Sequence, residues 1–456
     1  MLARTVQGLL LMGTRLFQQS NRNVLGLMLV FMAEDMQIGT AERGTLLSAI
    51  AAGYLFTQIP GGALADKLGA KFVMTVALFL SGAMCLIVPM VADRFGINGL
   101  WLTIVCMGAV QGPLFPTSSV YLSRWLPKKS ATSGDEKAWG TAMLDIGISV
   151  GSLLIIPVAN SLGEAFGWRA TYQIIGGATI AFVGLWQVLA AETPRACWYI
   201  TKEELTFLEK HVAAPKGSAP ATAAAAAKEA KSPARSDGDR LGKLLGMPSR
   251  VALHPGVWAV FVAHIAFNFG AYYMTNWNPT YYKEVLGVST ADAKYHLMMP
   301  HVTNLLAKSA NPALVRIVEE RNISLLGSRR LFTASGFVLA ALALLPVARL
   351  SSFNPWVSTA FFSLANMFFG LAPSGFKANY LDITEEYVGI ISGYGNTLGT
   401  VASWAGPKLV AALLLHFGSW DIVLLVVASS NIFASLNYWR NSTVEVVERV
   451  AGSKKA

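Results

Sequence analysis

Arg15, Gln19 and Arg22 stand on one face of an apolar run near the start of the chain, since separations of three, four and seven residues stack side chains on one side of a helix. If that run crosses a membrane, Arg22 lies deep within it. A guanidinium there costs on the order of several kcal/mol unless it is paired or hydrated, so a cavity that receives an anion is the first reading. Arg15 has a second option, extending its charged end to lipid headgroups.

Two further stretches carry polar groups at helical spacing. His301, Asn304, Lys308 and Asn311 fall at i, i+3, i+7 and i+10. Such a stripe faces a hydrated cavity or another helix, and with Arg22 it would build a positive chamber from both halves of the chain. The alternative is a short span whose Lys308 reaches the aqueous side. Asn268, Tyr272, Tyr273, Asn276, Trp277 and Asn278 can hydrogen-bond and stack, and Pro279 can open the helical backbone. Asn268 and Tyr272, one turn apart, are the deeper candidates, whereas Trp277 and Tyr281 read as aromatics at the outer boundary. Asp145 falls inside an apolar run. It suits proton or sodium coupling, or service as a counter-ion for an arginine. Glu34 and Asp35 are expected to be solvated at the end of the first run. Asp382 and Glu386, beside Lys377, are expected to be gate or loop charges.

These residues need an apolar frame to hold them. The chain has 456 residues, 54% hydrophobic and 14% charged, against about 25% charged in soluble globular chains. Its apolar residues gather into runs of about twenty, enough for a helix to cross a hydrocarbon core of ~30 Å. Hydropathy, punctuated by Gly, Pro and charge, predicts spans over 7–32, 44–64, 71–92, 98–125, 137–160 and 169–190, then 255–282, 294–318, 329–349, 354–381, 386–415 and 419–439. The expected fold is all-α and integral to a membrane, with twelve transmembrane helices in two pseudo-symmetric six-helix bundles. The bundles occupy 1–193 and 253–440, a partly disordered cytoplasmic linker 194–252, and a cytoplasmic tail 441–456. The alanine run Ala223–Ala227 and Lys231-Ser-Pro-Ala-Arg-Ser-Asp-Gly make the linker low in complexity.

The net charge is +10, yet the basic residues fall in alternate loops. Lys67 and Lys71 follow the second span, Arg124, Lys128, Lys129 and Lys137 the fourth, and others fill Lys202 to Arg250. Arg316, Arg321, Arg329 and Arg330 surround the loop after the eighth span, and Lys454 and Lys455 end the chain. This bias puts both termini in the cytoplasm and speaks against a nucleic-acid partner. Cys85, Cys106 and Cys197 offer no disulfide or metal framework. No phosphate-binding loop and no cluster of nucleophile, base and orienter stands out, so neither an enzyme nor a cofactor is expected.

Between the second and third spans runs Gly62-Ala-Leu-Ala-Asp66-Lys67-Leu-Gly69-Ala-Lys71. Glycine at 62 admits a close helix, Asp66 can cap or face a helix N-terminus, and Lys67 and Lys71 can pair with acids or headgroups. An ordinary basic turn is the bland alternative. The pattern resembles the signature loop of the major facilitator superfamily, where it serves conformational switching and not substrate binding.

A narrower resemblance is to the anion:cation symporters, solute carrier family 17 and its plastid phosphate-transporter relatives. It rests on Gly53-Tyr54-Leu-Phe-Thr57-Gln58-Ile-Pro60-Gly61-Gly62, Phe115-Pro116 with Arg124-Trp125-Leu-Pro127, and Gly167-Trp168-Arg169. Further matches are Thr275-Asn-Trp277-Asn-Pro279-Thr-Tyr281, Ser374-Gly375-Phe376-Lys-Ala-Asn379-Tyr-Leu-Asp382 and Gly395-Asn396-Thr397-Leu-Gly399-Thr400. Arg22 lies where that family has an arginine implicated in anion binding. The residues and the resemblance together nominate Arg22, Tyr54, Gln58, Gln111, Asn268, Tyr272, His301, Lys308 and Asn396 for substrate binding. Asp145 is nominated for ion coupling, and Gly62, Asp66, Lys67, Gly69 and Lys71 for conformational gating.

Several positions depart from the family. Ile104 and Gln111 stand where vesicular and lysosomal members carry arginine and glutamate, and a neutral amide cannot relay a proton as a carboxylate does. Asn268 replaces an arginine of the glutamate transporters, and Asn311-Pro312 and Arg316 occupy a degenerate second signature loop. The resemblance implies a monomeric secondary transporter in the plasma membrane or an organelle membrane. It would move phosphate or an organic anion with Na+ or H+ by alternating access. A non-transporting receptor on the same fold, or a facilitator of a neutral or different organic solute, are the other readings.

Overall fold

The computed structural model describes residues 2–126, 136–211, 239–350, 354–384 and 387–449. Every regular element among the described residues is helical. An apolar run in lipid must satisfy its backbone internally, and a helix does so within one segment. Seven helical stretches among the described residues are long and apolar enough to cross a membrane. Two of them, Ala70–Leu122 and Ile146–Leu189, are broken at Gly96 (φ 60°, ψ −151°) and Gly167 (φ 78°, ψ 169°). Only glycine occupies such a backbone region routinely. At Gly96 the break is a hairpin: Cys85 meets Met107 at 3.7 Å and Ser81 meets Gln111 at 2.8 Å, each pair centred on residue 96.

The chain divides into two compact units. The first holds the described residues among Met1–Ile38 and Ala49–Lys231, the second those among Gly39–Ser48 and Ser232–Ala456. The first contains α1 (Ala3–Asp35), most of α2 (Thr40–Leu68), α3 (Ala70–Gln111), α4 (Leu114–Trp125), α5 (Glu136–Leu189) and α6 (Lys202–His211). Helix α1 lies along α5, and glycine sets their spacing: a Cβ on Gly147 would stand 2.4 Å from the Met12 carbonyl oxygen. The stretch after 193 differs from a plain linker. Glu204 of α6 accepts from the backbone N–H groups of Ala3 (2.8 Å) and Arg4 (3.1 Å), so a carboxylate caps the N-terminus of α1.

The second unit contains α7 (Arg240–Leu245), α8 (Ser249–Ala252), α9 (Pro255–Asn276), α10 (Asn278–Glu284), α11 (Thr290–Glu320), α12 (Leu325–Leu344) and α13 (Val347–Leu350). Helices α14 (Pro355–Leu371), α15 (Pro373–Asp382), α16 (Val388–Phe417) and α17 (Trp420–Asn441) complete it. Helix α9 packs on α16 and α17, α11 on α14, and α12 on α14 and α17. The interruption expected near Pro279 falls at Trp277, between α9 and α10. Trp277 and Tyr281, read as boundary aromatics, are instead 1% and 0% exposed. Their rings pack on Trp420 with centroids 6.0 and 5.3 Å away, because a residue that ends one helix here faces the start of another. The stretch after 441 also holds to the unit: Val447 N donates to the Ile383 carbonyl at 3.0 Å.

Candidate functional site

In the first unit, the Arg22 guanidinium carbon lies 5.0 Å from the centroid of the Tyr54 ring. Arg22 is half-buried and Tyr54 buried. A cation over an aromatic face gains from the ring quadrupole. The position of Tyr54 follows from its neighbour. A Cβ on Gly53 would stand 1.9 Å from the Val105 carbonyl oxygen, so α2 and α3 meet backbone to backbone here. Gln58, one turn on, is half-buried, and its Oε1 is buried without a hydrogen-bond partner among the described residues.

Arg15 does not reach outward to headgroups. It is buried, donates to Gln18 Oε1, and stacks on Phe115 with 5.7 Å from guanidinium carbon to ring centroid. Gln19 donates to Asn23 at 2.9 Å, within α1. Gln111 is fully buried and donates through Nε2 to Ser81 Oγ at 2.8 Å. Asn21 donates to the same hydroxyl oxygen at 3.1 Å and accepts from Thr179 at 3.1 Å. Gln111 therefore belongs to a polar knot that ties α1, α3 and α5 beneath the Arg22 turn. The side chain of Asp145 lies outside the described residues.

The nominated gating loop is a break between α2, which ends at Leu68, and α3, which begins at Ala70, with Gly69 at φ 92°. The surroundings of Gly62 and the side chain of Asp66 lie outside what the structure describes. Lys67 is exposed, and Lys71 Nζ donates to the Gln187 carbonyl at 3.0 Å. The acid at the N-terminus of α3 is Glu192, which accepts from the backbone N–H groups of Ala70 (2.8 Å) and Lys71 (2.6 Å) and pairs with Arg124.

In the second unit the stripe on α11 divides. Asn304 donates to the Asn366 carbonyl at 2.7 Å and Asn311 to the Gly370 carbonyl at 2.8 Å, so both fasten α11 to α14. His301 is half-buried and Lys308 exposed. Asn268, Tyr272 and Asn396 are half-buried. Asn268 lies against Gly399 of α16, where a Cβ would stand 2.3 Å from Nδ2. The acids read as solvated or loop charges are engaged. Asp382 accepts from Arg329 at 2.7 Å. Asp35 accepts from Trp168 at 3.0 Å and from Arg169 at 2.6 Å, while Arg169 also holds Asp93 at 2.6 Å. The Trp168 indole and then the Arg169 guanidinium hold the Asp35 carboxyl below the ordinary carboxylate range. The side chain of Glu386 lies outside the described residues.

Residues 11–407 match the family described as Major Facilitator Superfamily. The chain belongs to that superfamily. Probable anion transporter 6 of Oryza sativa subsp. japonica is 26% identical over 439 residues, covering 93% of this chain and 94% of the relative. Sodium-dependent phosphate transport protein 1, chloroplastic, of Arabidopsis thaliana is 26% identical over 396 residues, with 87% and 70% covered. Sialin of Homo sapiens is 25% identical over 401 residues, with 86% and 74% covered. The fold is similar to that of a bacterial homolog of the human lysosomal transporter Spinster, with a TM-score of 0.67 at 13% identity over 97% of this chain and 98% of that one.

Two features of this superfamily member escaped the sequence reading. Glu192 stands immediately after an apolar run, in Ala-Glu-Thr-Pro, and the basic Arg124 and Lys71 on the same side were the signal that an acid must balance them. His264 and Tyr380 bond to one another at 3.0 Å, a contact 116 residues apart in sequence that no local spacing reveals.

Proposed function

We propose that the chain is a secondary active transporter that moves a small anion, inorganic phosphate or an organic carboxylate, across a membrane by alternating access. The observation that carries this reading is Arg22, a cation in the body of α1 set over the Tyr54 ring. A guanidinium fixed there offers a planar, bidentate fork to a carboxylate or phosphate. Relatives named as anion and phosphate transporters support the substrate class. Tyr54 and Gln58 line the same stretch of α2, and Gln111, through Ser81 and Asn21, helps tie α3 to the α1 helix that carries Arg22. In the second unit Asn268, Tyr272, His301, Lys308 and Asn396 supply donors of the kind an anion needs. Sodium or proton symport is proposed to drive the cycle, with Asp145 as the coupling carboxylate and the 62–71 loop as the switch.

Uptake into proteoliposomes of labelled phosphate and labelled succinate, with sodium and pH gradients imposed separately, tests the reading. We expect saturable uptake of one of them, driven by one gradient and abolished in Arg22→Ala. Normal kinetics in a folded Arg22→Ala protein would remove the anion site from α1.

A further inference from the structure

The elbow that leads into α9 carries none of the residues nominated for transport, and its chemistry is of another kind. Helix α7 begins at Asp239, whose Oδ1 accepts from Gly242 N at 2.8 Å and whose Oδ2 accepts from Ser249 N at 2.9 Å. One carboxylate thus caps α7 and draws the start of α8 beside it. Gly246, at φ 73°, ends α7 in the left-handed region that suits glycine. Helix α7 has six residues, too few to persist alone, so these fastenings set its orientation.

That orientation sorts the side chains into rows. Gly242 is buried, and three residues on, the Leu245 carbonyl accepts from the Tyr394 hydroxyl of α16 at 3.2 Å. Successive residues of a helix turn by about 100°, so Leu241 and Leu244 share a second row, and Arg240 and Lys243 a third. Leu241 is 42% exposed and Leu244 81%. Arg240 and Lys243 are exposed beside them. Leucines so placed are stabilised by leaving water for an acyl layer, and a basic row along their flank stays at the polar surface.

The neighbours place α7 at the level of a bilayer boundary. Tyr394 stands just inside Ile390–Phe417, a stretch long and apolar enough to cross a membrane, about 6 Å along the helix from its first residue. A Cβ on Gly246 would meet Ile390 Cδ1 at 3.5 Å, so the elbow abuts the first turn of that stretch. The chain itself then enters a second such stretch, Pro255–Asn276. Trp258, in its first turn, is 43% exposed and donates from Nε1 to the Ala252 carbonyl at 3.1 Å. An exposed indole whose N–H turns back toward the helix start suits the boundary between lipid and water. Charge then selects the lipid. Between Asp239 and His254, three cations, Arg240, Lys243 and Arg250, stand against one carboxylate, and that one accepts two backbone N–H groups. All three cations are exposed. Basic side chains at a membrane surface attract anionic headgroups. A soluble anion would use the cations and leave the leucines bare.

We propose that Arg240, Lys243 and Arg250, with Leu241, Leu244 and Trp258, form a docking surface for an anionic phospholipid, at the end of the second unit where α9 and α16 begin. The cations hold the headgroup, and the leucine row and the indole lie against the acyl chains. The surface stands whatever solute the protein moves.

The test uses the full-length protein in two measurements. In neutral detergent with phosphatidylglycerol and phosphatidylcholine at equal concentration, wild type should retain phosphatidylglycerol in preference, read by native mass spectrometry. Arg240→Gln with Lys243→Gln should weaken that retention about tenfold, and Arg240→Lys with Lys243→Arg should keep it. Lys408→Gln, at an exposed position far along α16, should leave it unchanged. For the second measurement, a fluorophore is attached to Leu244→Cys in a Cys106→Ala background, in vesicles containing phosphatidylglycerol. Phospholipids brominated on their acyl chains should quench it more strongly than aqueous iodide does. Equal retention of the two lipids by wild type, or unchanged retention in the Gln pair, overturns the proposal. So does stronger quenching by iodide, which would put α7 in water. Quenching by neither would mean that a second copy or another stretch of this chain covers the leucines, and the lipid surface would fall.

Discussion

The guanidinium of Arg22 rests 5.0 Å from the centre of the Tyr54 ring, so two helices of the first unit meet through a cation and a π-face in an apolar setting. The contact fixes the direction of the charge without neutralising it. Tyr54→Phe should keep the ring and leave uptake within about twofold of wild type. Tyr54→Leu should lower kcat/KM by about tenfold, the factor that corresponds to ~1.4 kcal/mol of lost positioning. Equal losses in both variants would mean that the hydroxyl, and not the ring face, does the work.

A second prediction concerns Glu192. Its carboxylate takes two backbone donors at the start of α3 and pairs with Arg124. Glu192→Gln keeps the shape but removes the charge from a helix N-terminus, where a negative charge is favoured. With its partial solvation allowed for, the loss should be about 1–2 kcal/mol of stability. It should appear as a lower thermal midpoint by intrinsic tryptophan fluorescence. Because Glu192 borders the 62–71 loop, Vmax should fall more than KM rises. A lower midpoint with unchanged Vmax would confine Glu192 to a structural role.

The corner formed by Asp35, Trp168, Arg169 and Asp93 carries a pH signature. Asp35 has a depressed folded-state pKa, so its bonds stabilise the protein above its unfolded value of about 3.9 and are lost as pH falls through the lower folded value. Arg169→Gln should therefore be less stable than wild type at pH 6, by a small margin since these side chains are partly solvated. The gap should close as pH drops below about 4. Thermal midpoints across pH 3 to 7 would show it, and a gap independent of pH would mean that Arg169 acts only through its stacking on the Trp168 ring, whose centroid lies 4.3 Å from the guanidinium carbon.

Glycine packing makes a sharper contrast. Gly53→Val would push a side chain to within 1.9 Å of the Val105 carbonyl oxygen, which α3 cannot yield without separating from α2. We expect no monodisperse protein on size-exclusion chromatography. Gly177→Ala, with nothing within 4 Å of the added carbon, should behave as wild type. A well-behaved Gly53→Val protein would show that the two backbones do not meet as described.

Much of the fold was legible in the sequence because lipid imposes a single local rule. Runs of apolar residues must be helices, and the sign of the loops orders them. Arg22 stood out for the same reason, as a charge inside an apolar run. What the sequence could not display was pairing. Asn304 and Asn311 share the periodicity of His301 and Lys308, yet they bind carbonyls of α14, and only the packing of α11 separates the two roles. Trp277 and Tyr281 look like boundary aromatics until α17 is seen to place Trp420 against them. Glu204 lies in a polar stretch that reads as linker, yet it closes the first turn of α1.

The hairpin at Gly96 passes from one leg to the next through a single non-helical residue. Arg169 draws Asp35 and Asp93 to the same corner. Chain laid down this tightly leaves no slack for a protease to grip, no arch for an antibody to clasp and no room for an inserted epitope tag. Anyone mapping which way this protein faces should leave that corner untouched.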